Sequence, residues 1–244
     1  MKTNNIIERF DDQDSIISYK QLRLFIGILG FFLTFMLVVT VFLLQDTQVW
    51  KISISHYYYS FAHIIFVGTL CILGGLFLTY RGKNRWENRL SNLTGFFALC
   101  VAAFPTKYDG YDGTRYIQLD FYPDWFNYIH FGSAFLLFLG FAIYCLVFFQ
   151  NMDNEIEMSN SDALRKKKNR NNYYKICGIG ILLSIACIAF FNFVVTEKQF
   201  PNSCFIKFST IIFETTALFF FSTSWLMKSS DLLWDKFPFL QYFR

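Results

Sequence analysis

Charge is scarce in this chain. Asp, Glu, Lys and Arg make up 16% of its 244 residues, against about 25% in a soluble domain. That excludes a globule with water on every side. The net charge of +4 is small, and the basic residues cluster in short connecting stretches, so they read as topology signals and not as a nucleic-acid footprint. Histidine is scarcer still, with 3 in all, and no CxxC pair or Cys/His zinc spacing occurs. Cys71, Cys100, Cys145, Cys177 and Cys187 fall within apolar runs as small fillers; Cys204 lies near a loop with no obvious partner, so disulfides are not expected. No cleavable signal peptide is expected either: the N-terminal stretch is charged and mixed, and the first apolar run is too long for a signal core. Internal repeats and a second soluble domain are not visible.

What fills the chain is apolar. Hydrophobic residues reach 54% and aromatics 21%, with 33 Phe. Runs of about 20 apolar residues recur, each long enough to cross a hydrocarbon core of about 30 Å. The expected fold is all-α, a polytopic bundle of six transmembrane helices over 22–45, 57–80, 90–106, 127–149, 174–196 and 205–227. The third is short and ends at Pro105. Its Gly95, Ala98, Ala102 and Ala103 permit close helix approach, which suggests a place in the middle of the bundle.

Lys and Arg counts in the short loops orient the bundle. The second loop, Arg81-Gly82-Lys83-Asn84-Arg85-Trp86-Glu87-Asn88-Arg89, and the fourth, with Arg165-Lys166-Lys167-Lys168-Asn169-Arg170, are basic, as is the tail with Lys228, Lys236 and Arg244. The odd-numbered loops are not. Both termini are therefore expected in the cytoplasm. Residues 1–21 form a cytoplasmic N-terminal segment with a loosely helical, interfacial pattern; residues 22–228 form the transmembrane domain; residues 229–244 form an aromatic interfacial tail. Residues 150–173 are expected as a partly disordered cytoplasmic loop.

Glu214 lies inside the last apolar run. An ionisable group at that depth costs ~3 kcal/mol on insertion scales and persists when it faces protein, pairs, or lines a wet cavity. His56, His63 and His130 fall at or near span ends on the same, outer side. His56 and His63 are seven apart and share a helix face if the second helix starts early enough. The pocket residues expected there are Tyr59, Ser60, His63, His130, Asn192 and Glu214, with Tyr57, Tyr58, Thr196 and Lys207 adding polar tips nearby. The structural alternatives are interface anchoring for the tyrosines and, for Glu214, a hydrogen bond to a neighbouring helix or a pair with Lys207.

Three chemistries use this group. Two imidazoles and a carboxylate from His63, His130 and Glu214 are a donor set for catalytic zinc in a metal-dependent lipid or amide hydrolase, although no ligand-spacing signature accompanies them. His63 and His130 are also the one pair able to hold a haem across two helices. The reading that asks for the fewest coincidences is an outward-opening polar pocket for a lipid headgroup or small ligand, with no cofactor firmly implied. An oligomeric channel with Glu214 on its path, built as a homo-oligomer or with a membrane partner protein, is a further alternative. The two Asp-Gly pairs at 109–110 and 112–113 read as turns without EF-hand spacing. Arg165, Lys166, Lys167, Lys168 and Arg170 read first as a topology signal and second as a contact for anionic membrane lipids, at ~1 kcal/mol per basic residue.

Several motifs carry a resemblance. Ser53-Ile54-Ser55-His56-Tyr57-Tyr58-Tyr59-Ser60, Phe66-Val67-Gly68, Tyr80-Arg81-Gly82, Ala102-Ala103-Phe104-Pro105-Thr106, and Glu214 followed by Ser224-Trp225-Leu226-Met227-Lys228 resemble an uncharacterised family of bacterial six-span membrane proteins. Its members carry SIS-x-YYY-[ST], FVG, [FV]PT and E…SWL-x-K. The likeness runs from about residue 50 to 228. It implies a bundle of the same kind in a bacterial cytoplasmic membrane, with no established activity. The Ser-x₃-His and late His-x₃-His pattern of alkaline-ceramidase-like membrane hydrolases is missing, which weighs against the zinc-hydrolase reading.

Overall fold

A computed structural model describes residues 19–44, 50–82, 84–107, 122–150, 161–195 and 199–229, leaving aside the side chains of residues 19 and 161–167. Its helices are α1 (Tyr19–Leu44), α2 (His63–Thr79), α3 (Arg85–Ala103), α4 (Asp124–Ile143), α5 (Ser161–Phe193) and α6 (Cys204–Lys228), with a 3₁₀ segment over Ile54–Tyr59 and a π-helical turn, Tyr144–Phe148, continuing α4. No strand is present among the described residues. The Asp-Gly pairs, Thr196 and, of the two terminal segments, residues 1–18 and 230–244 lie outside the described residues.

Local chemistry sets several of these ends. Asn84 accepts the Glu87 backbone N–H at 2.8 Å and starts α3, satisfying a donor that the first turn cannot. Ser203 does the same for α6 through the Ile206 N–H. At the end of α4 the Phe149 N–H reaches the Tyr144 carbonyl, while the Gln150 amide donates to the carbonyls of Cys145 and Leu146. α5 starts well before 174, so the basic run of the fourth loop is helical. Its Lys and Arg residues are good helix formers.

The helices pack in chain order, α1 against α2 and so on to α6, and α6 closes back on α1. Side-chain contacts give the directions. Arg23 at the start of α1 bonds Tyr80 after the end of α2, and Tyr80 bonds Glu87 at the start of α3. Lys228 at the end of α6 bonds Phe149 after α4. The bundle is thus up-and-down, with the start of α1 and the end of α6 at one end. Among the described helices α3 packs chiefly between α2 and α4, contrary to the expected central place for the third span. Gly95 does allow the close approach: a Cβ there would stand 2.7 Å from the Gly74 carbonyl oxygen of α2.

Aromatic side chains fill the axis instead. Phe141 and Phe221 stack at 3.7 Å, Phe77 stacks on Phe141 at 5.8 Å, and Trp225 meets Phe77 edge-on at 5.2 Å, arrangements that aromatic rings favour. The outer surface is apolar, with Phe35, Phe42, Ile64 and Phe193 all exposed. Four helices, over 20–44, 124–148, 168–193 and 204–228, are long and apolar enough to cross a membrane, and α2 is a shorter apolar helix of 17 residues. An apolar exterior around a packed core marks a membrane-embedded helical protein.

Candidate functional site

The second helix begins at His63, six residues later than the apolar pattern suggests. Ser60 breaks the run. Its backbone is extended (φ −103°, ψ 177°), and its hydroxyl donates to the Tyr57 carbonyl at 2.7 Å while accepting the Ala62 N–H at 3.1 Å. Short serine bonds of this kind compete with the helical ladder. The preceding residues fold into the bundle. Ser53, Ile54, Ser55, Tyr57, Tyr59, Ser60 and Ala62 are all buried. His56 belongs to the 3₁₀ turn and His63 opens α2, so the two do not share one helix face.

This plug is held by side chains from the surrounding helices. Glu214, about three turns into α6, takes the Ser53 hydroxyl on both carboxyl oxygens (2.9 and 3.0 Å) and the Ile54 N–H on Oε2 (2.7 Å). Ser53 Oγ thus lies within hydrogen-bond distance of both carboxyl oxygens, and Oε2 also accepts the backbone N–H. The Ile211 N–H, one turn earlier, donates to the Ile52 carbonyl. From α4, His130 places Nδ1 2.7 Å from the Phe104 carbonyl and Nε2 2.8 Å from Ser55 Oγ. A carbonyl only accepts, so Nδ1 is assigned the proton, and Nε2 of the neutral ring accepts from the Ser55 hydroxyl. Tyr59 donates to the Thr106 carbonyl at 2.6 Å. Charge-assisted bonds of the Glu214 kind contribute roughly 1.5–3 kcal/mol each, and they supply the partners that a carboxyl at this depth needs.

The expected site residues therefore divide. Glu214, His130, Tyr59 and Ser60 converge on the plug. His63 stands at its far end, its Nδ1 on the Tyr58 carbonyl at 2.8 Å and its ring edge-on to Tyr58. Asn192 instead ties α5 to α6, donating to Thr210 Oγ1 at 3.0 Å and to the Ile188 carbonyl. Lys207 is exposed and lies over the Phe208 ring, while Glu214 is bonded to Ser53 and Ile54, so the alternative Glu214–Lys207 pair is replaced by bonds to the plug. Among the described residues no three His, Cys, Asp or Glu side chains are grouped as a metal site requires; His63, His130 and Glu214 bond to separate partners. Lys168 is exposed and Arg170 half-buried near the start of the apolar part of α5, while Arg165, Lys166 and Lys167 lie on the same helix.

A second polar centre occupies the opposite end. Tyr80, fully buried, accepts from Arg23 Nε (3.1 Å) and Nη2 (2.9 Å) and donates to Glu87 Oε1 (3.1 Å). Glu87 is 6% exposed and fills the space where a side chain on Gly82 would sit. Ser91 donates to the Phe77 carbonyl beside it. Loop-like sequence around Glu87 hid this centre, although Arg23, one residue inside the first expected span, was a signal. Residues of the SIS-x-YYY-S, YRG, PT and E…SWL-x-K motifs occupy the two centres. Compared with known proteins, no family model matches the sequence, and no curated protein or solved structure matches the chain.

Proposed function

We propose that this is a six-span membrane protein that binds a lipid headgroup or small polar ligand at the end closed by the 53–60 plug. The observation that carries the reading is irregular backbone held deep in the bundle by an ionisable side chain. Non-helical backbone at membrane depth is tolerated where it is buried in protein or lines a cavity, and broken helices of this kind mark binding sites in transporters. A ligand with hydroxyl or N–H donors satisfies Glu214 in place of Ser53 and Ile54, and one with an acceptor satisfies the Ser55 hydroxyl in place of His130. The basic second and fourth loops put this end outside, with both termini in the cytoplasm.

Native mass spectrometry of the detergent-purified protein tests the reading. Wild type should carry a bound lipid or small molecule that Glu214→Gln and His130→Ala release while both remain folded. Wild type without a bound species, or equal retention by folded Glu214→Gln, rules it out.

A further inference from the structure

A nucleophile, a base and an orienting acceptor stand in line at the plug end. Ser55 belongs to the 3₁₀ turn, and its Oγ lies 2.8 Å from His130 Nε2. Across the ring, His130 Nδ1 lies 2.7 Å from the Phe104 carbonyl. With the proton assigned to Nδ1, the Nε2 lone pair faces the serine hydroxyl. This is the tautomer in which an imidazole takes a proton from serine. The groups come from separate parts of the chain: the plug, α4 and the residue that caps the end of α3. His130 is 1% exposed, so packing and two bonds hold its ring in this one setting.

The other plug serines are served differently. Ser60 donates to the Tyr57 carbonyl and Ser53 to the Glu214 carboxyl, whereas Ser55 donates to a nitrogen base. Docking a hydroxyl needs only an acceptor, as the Ser60 bond shows. An imidazole whose second nitrogen is also fixed supplies more than docking requires. Depth is a second observation. His130 is the seventh residue of α4, about 9 Å along the axis from its start. The polar layer on each side of a bilayer core is roughly 5–8 Å thick. The pair therefore lies near the boundary where ester bonds join lipid headgroups to their chains.

We propose that Ser55 and His130 are a catalytic pair that hydrolyses a carboxylic ester, an inference that rests on the reading that this end of the bundle admits a ligand. Ser55 Oγ attacks the ester carbonyl carbon while its proton passes to His130 Nε2. The carbonyl electron pair moves onto oxygen, giving a tetrahedral oxyanion. Its collapse breaks the bond to the alcohol, which leaves with the proton from Nε2, and Ser55 keeps the acyl group. Water then attacks the acyl carbon and gives its proton to Nε2. The departing Ser55 oxygen takes that proton back, and a carboxylic acid is released. The Phe104 carbonyl accepts from Nδ1–H and keeps the ring oriented. A ligand that replaces Ser53 on Glu214 also loosens the Ser53 Oγ bond to the Ser55 N–H, 3.1 Å long. The nucleophile's own N–H then serves the oxyanion. The ester belongs either to a membrane lipid or to a soluble compound, and both react in the same way.

The test incubates the full chain, in an uncharged detergent, with an alkyl fluorophosphonate, which phosphonylates a base-activated serine with loss of fluoride. Peptide mass spectrometry should find the adduct of wild type on Ser55. His130→Gln keeps an acceptor for the Ser55 hydroxyl but cannot take its proton, so it should label at least about 100-fold more slowly. A His130 that only docks the plug would leave the rate unchanged. Ser184→Ala on α5, where the serine bonds the Gly180 carbonyl of its own helix, should label as wild type does. If His130→Gln does not fold, the pH profile of wild-type labelling carries the comparison: the rate should fall on the acid side, where imidazole takes up a proton. Fatty-acid release from phosphatidylglycerol in mixed micelles identifies a lipid ester; hydrolysis of para-nitrophenyl acetate alone identifies a soluble one. No adduct, an adduct on another residue, a folded His130→Gln that labels at the wild-type rate, a labelling rate independent of pH, or hydrolysis of neither ester overturns the inference. Wild type that carries a bound species released by Glu214→Gln, yet is not phosphonylated, would keep the binding reading and remove the chemistry alone.

Discussion

Removing the Glu214 carboxylate separates a docking role from a passive one. Glu214→Ala leaves two buried donors, the Ile54 N–H and the Ser53 hydroxyl, without their acceptor. At roughly 1–3 kcal/mol for each unsatisfied group, the loss should be about 2–6 kcal/mol. Glu214→Gln keeps an amide oxygen for the Ile54 N–H and offers its own N–H to Ser53 Oγ. It gives up only the charge-assisted part of the bonding, about 1 kcal/mol. The assay is reversible unfolding in mixed detergent and sodium dodecyl sulfate micelles, followed by tryptophan fluorescence. Ser53→Ala closes the cycle: it should cost less in the Glu214→Ala background than in wild type, with a coupling of about 1 kcal/mol. A Glu214→Ala protein within about 0.5 kcal/mol of wild type, the usual range for changes away from such features, would refute the reasoning. So would a Gln variant as unstable as the Ala one.

Tyr80→Phe should destabilise by roughly 1–3 kcal/mol in the same assay, because Arg23 loses its acceptor and Glu87 its donor together. Gly95→Leu should cost at least about 1–3 kcal/mol by pushing α3 away from the Gly74 carbonyl, and an unperturbed melting curve would contradict the close packing of α2 and α3. Topology is checked by labelling single cysteines with a membrane-impermeant maleimide: Asp112→Cys should react in intact cells and Lys167→Cys only after the cytoplasmic face is opened.

Helix content and most helix centres were legible because apolar runs of span length have few other solutions. The start of α2 was not. Tyr57, Tyr58 and Tyr59 read as a span end, and only the bonds of the Ser60 hydroxyl show why the helix waits until His63. Glu214 and His130 stood out because charge and imidazole are rare in apolar runs, yet their partners were hidden. Ser53 and Ser55 lie far away in sequence, 161 and 75 residues respectively, and no periodicity links a loop serine to a helix that late in the chain. The Arg23–Tyr80–Glu87 centre, for which Arg23 was the one signal, was hidden for a related reason. Glu87 sits in a basic stretch that looks solvated, and its burial follows from tertiary packing against Gly82 and Tyr80. The central place expected for α3 failed because small residues license close approach to neighbours without saying how many neighbours there are.

Hydrogen exchange of the backbone over residues 52–60, read by mass spectrometry on the protein in nanodiscs, tests the central claim most directly. The Ile54 amide is committed to Glu214, and the amides of His56 and Ser60 are committed within the turn. These amides should exchange slowly in wild type, as those of a docked segment do. In Glu214→Ala the same stretch should exchange faster while peptides from α4 and the second half of α6 keep their protection. Rapid exchange over 52–60 in wild type, or protection there that Glu214→Ala leaves unchanged, contradicts a plug held by Glu214.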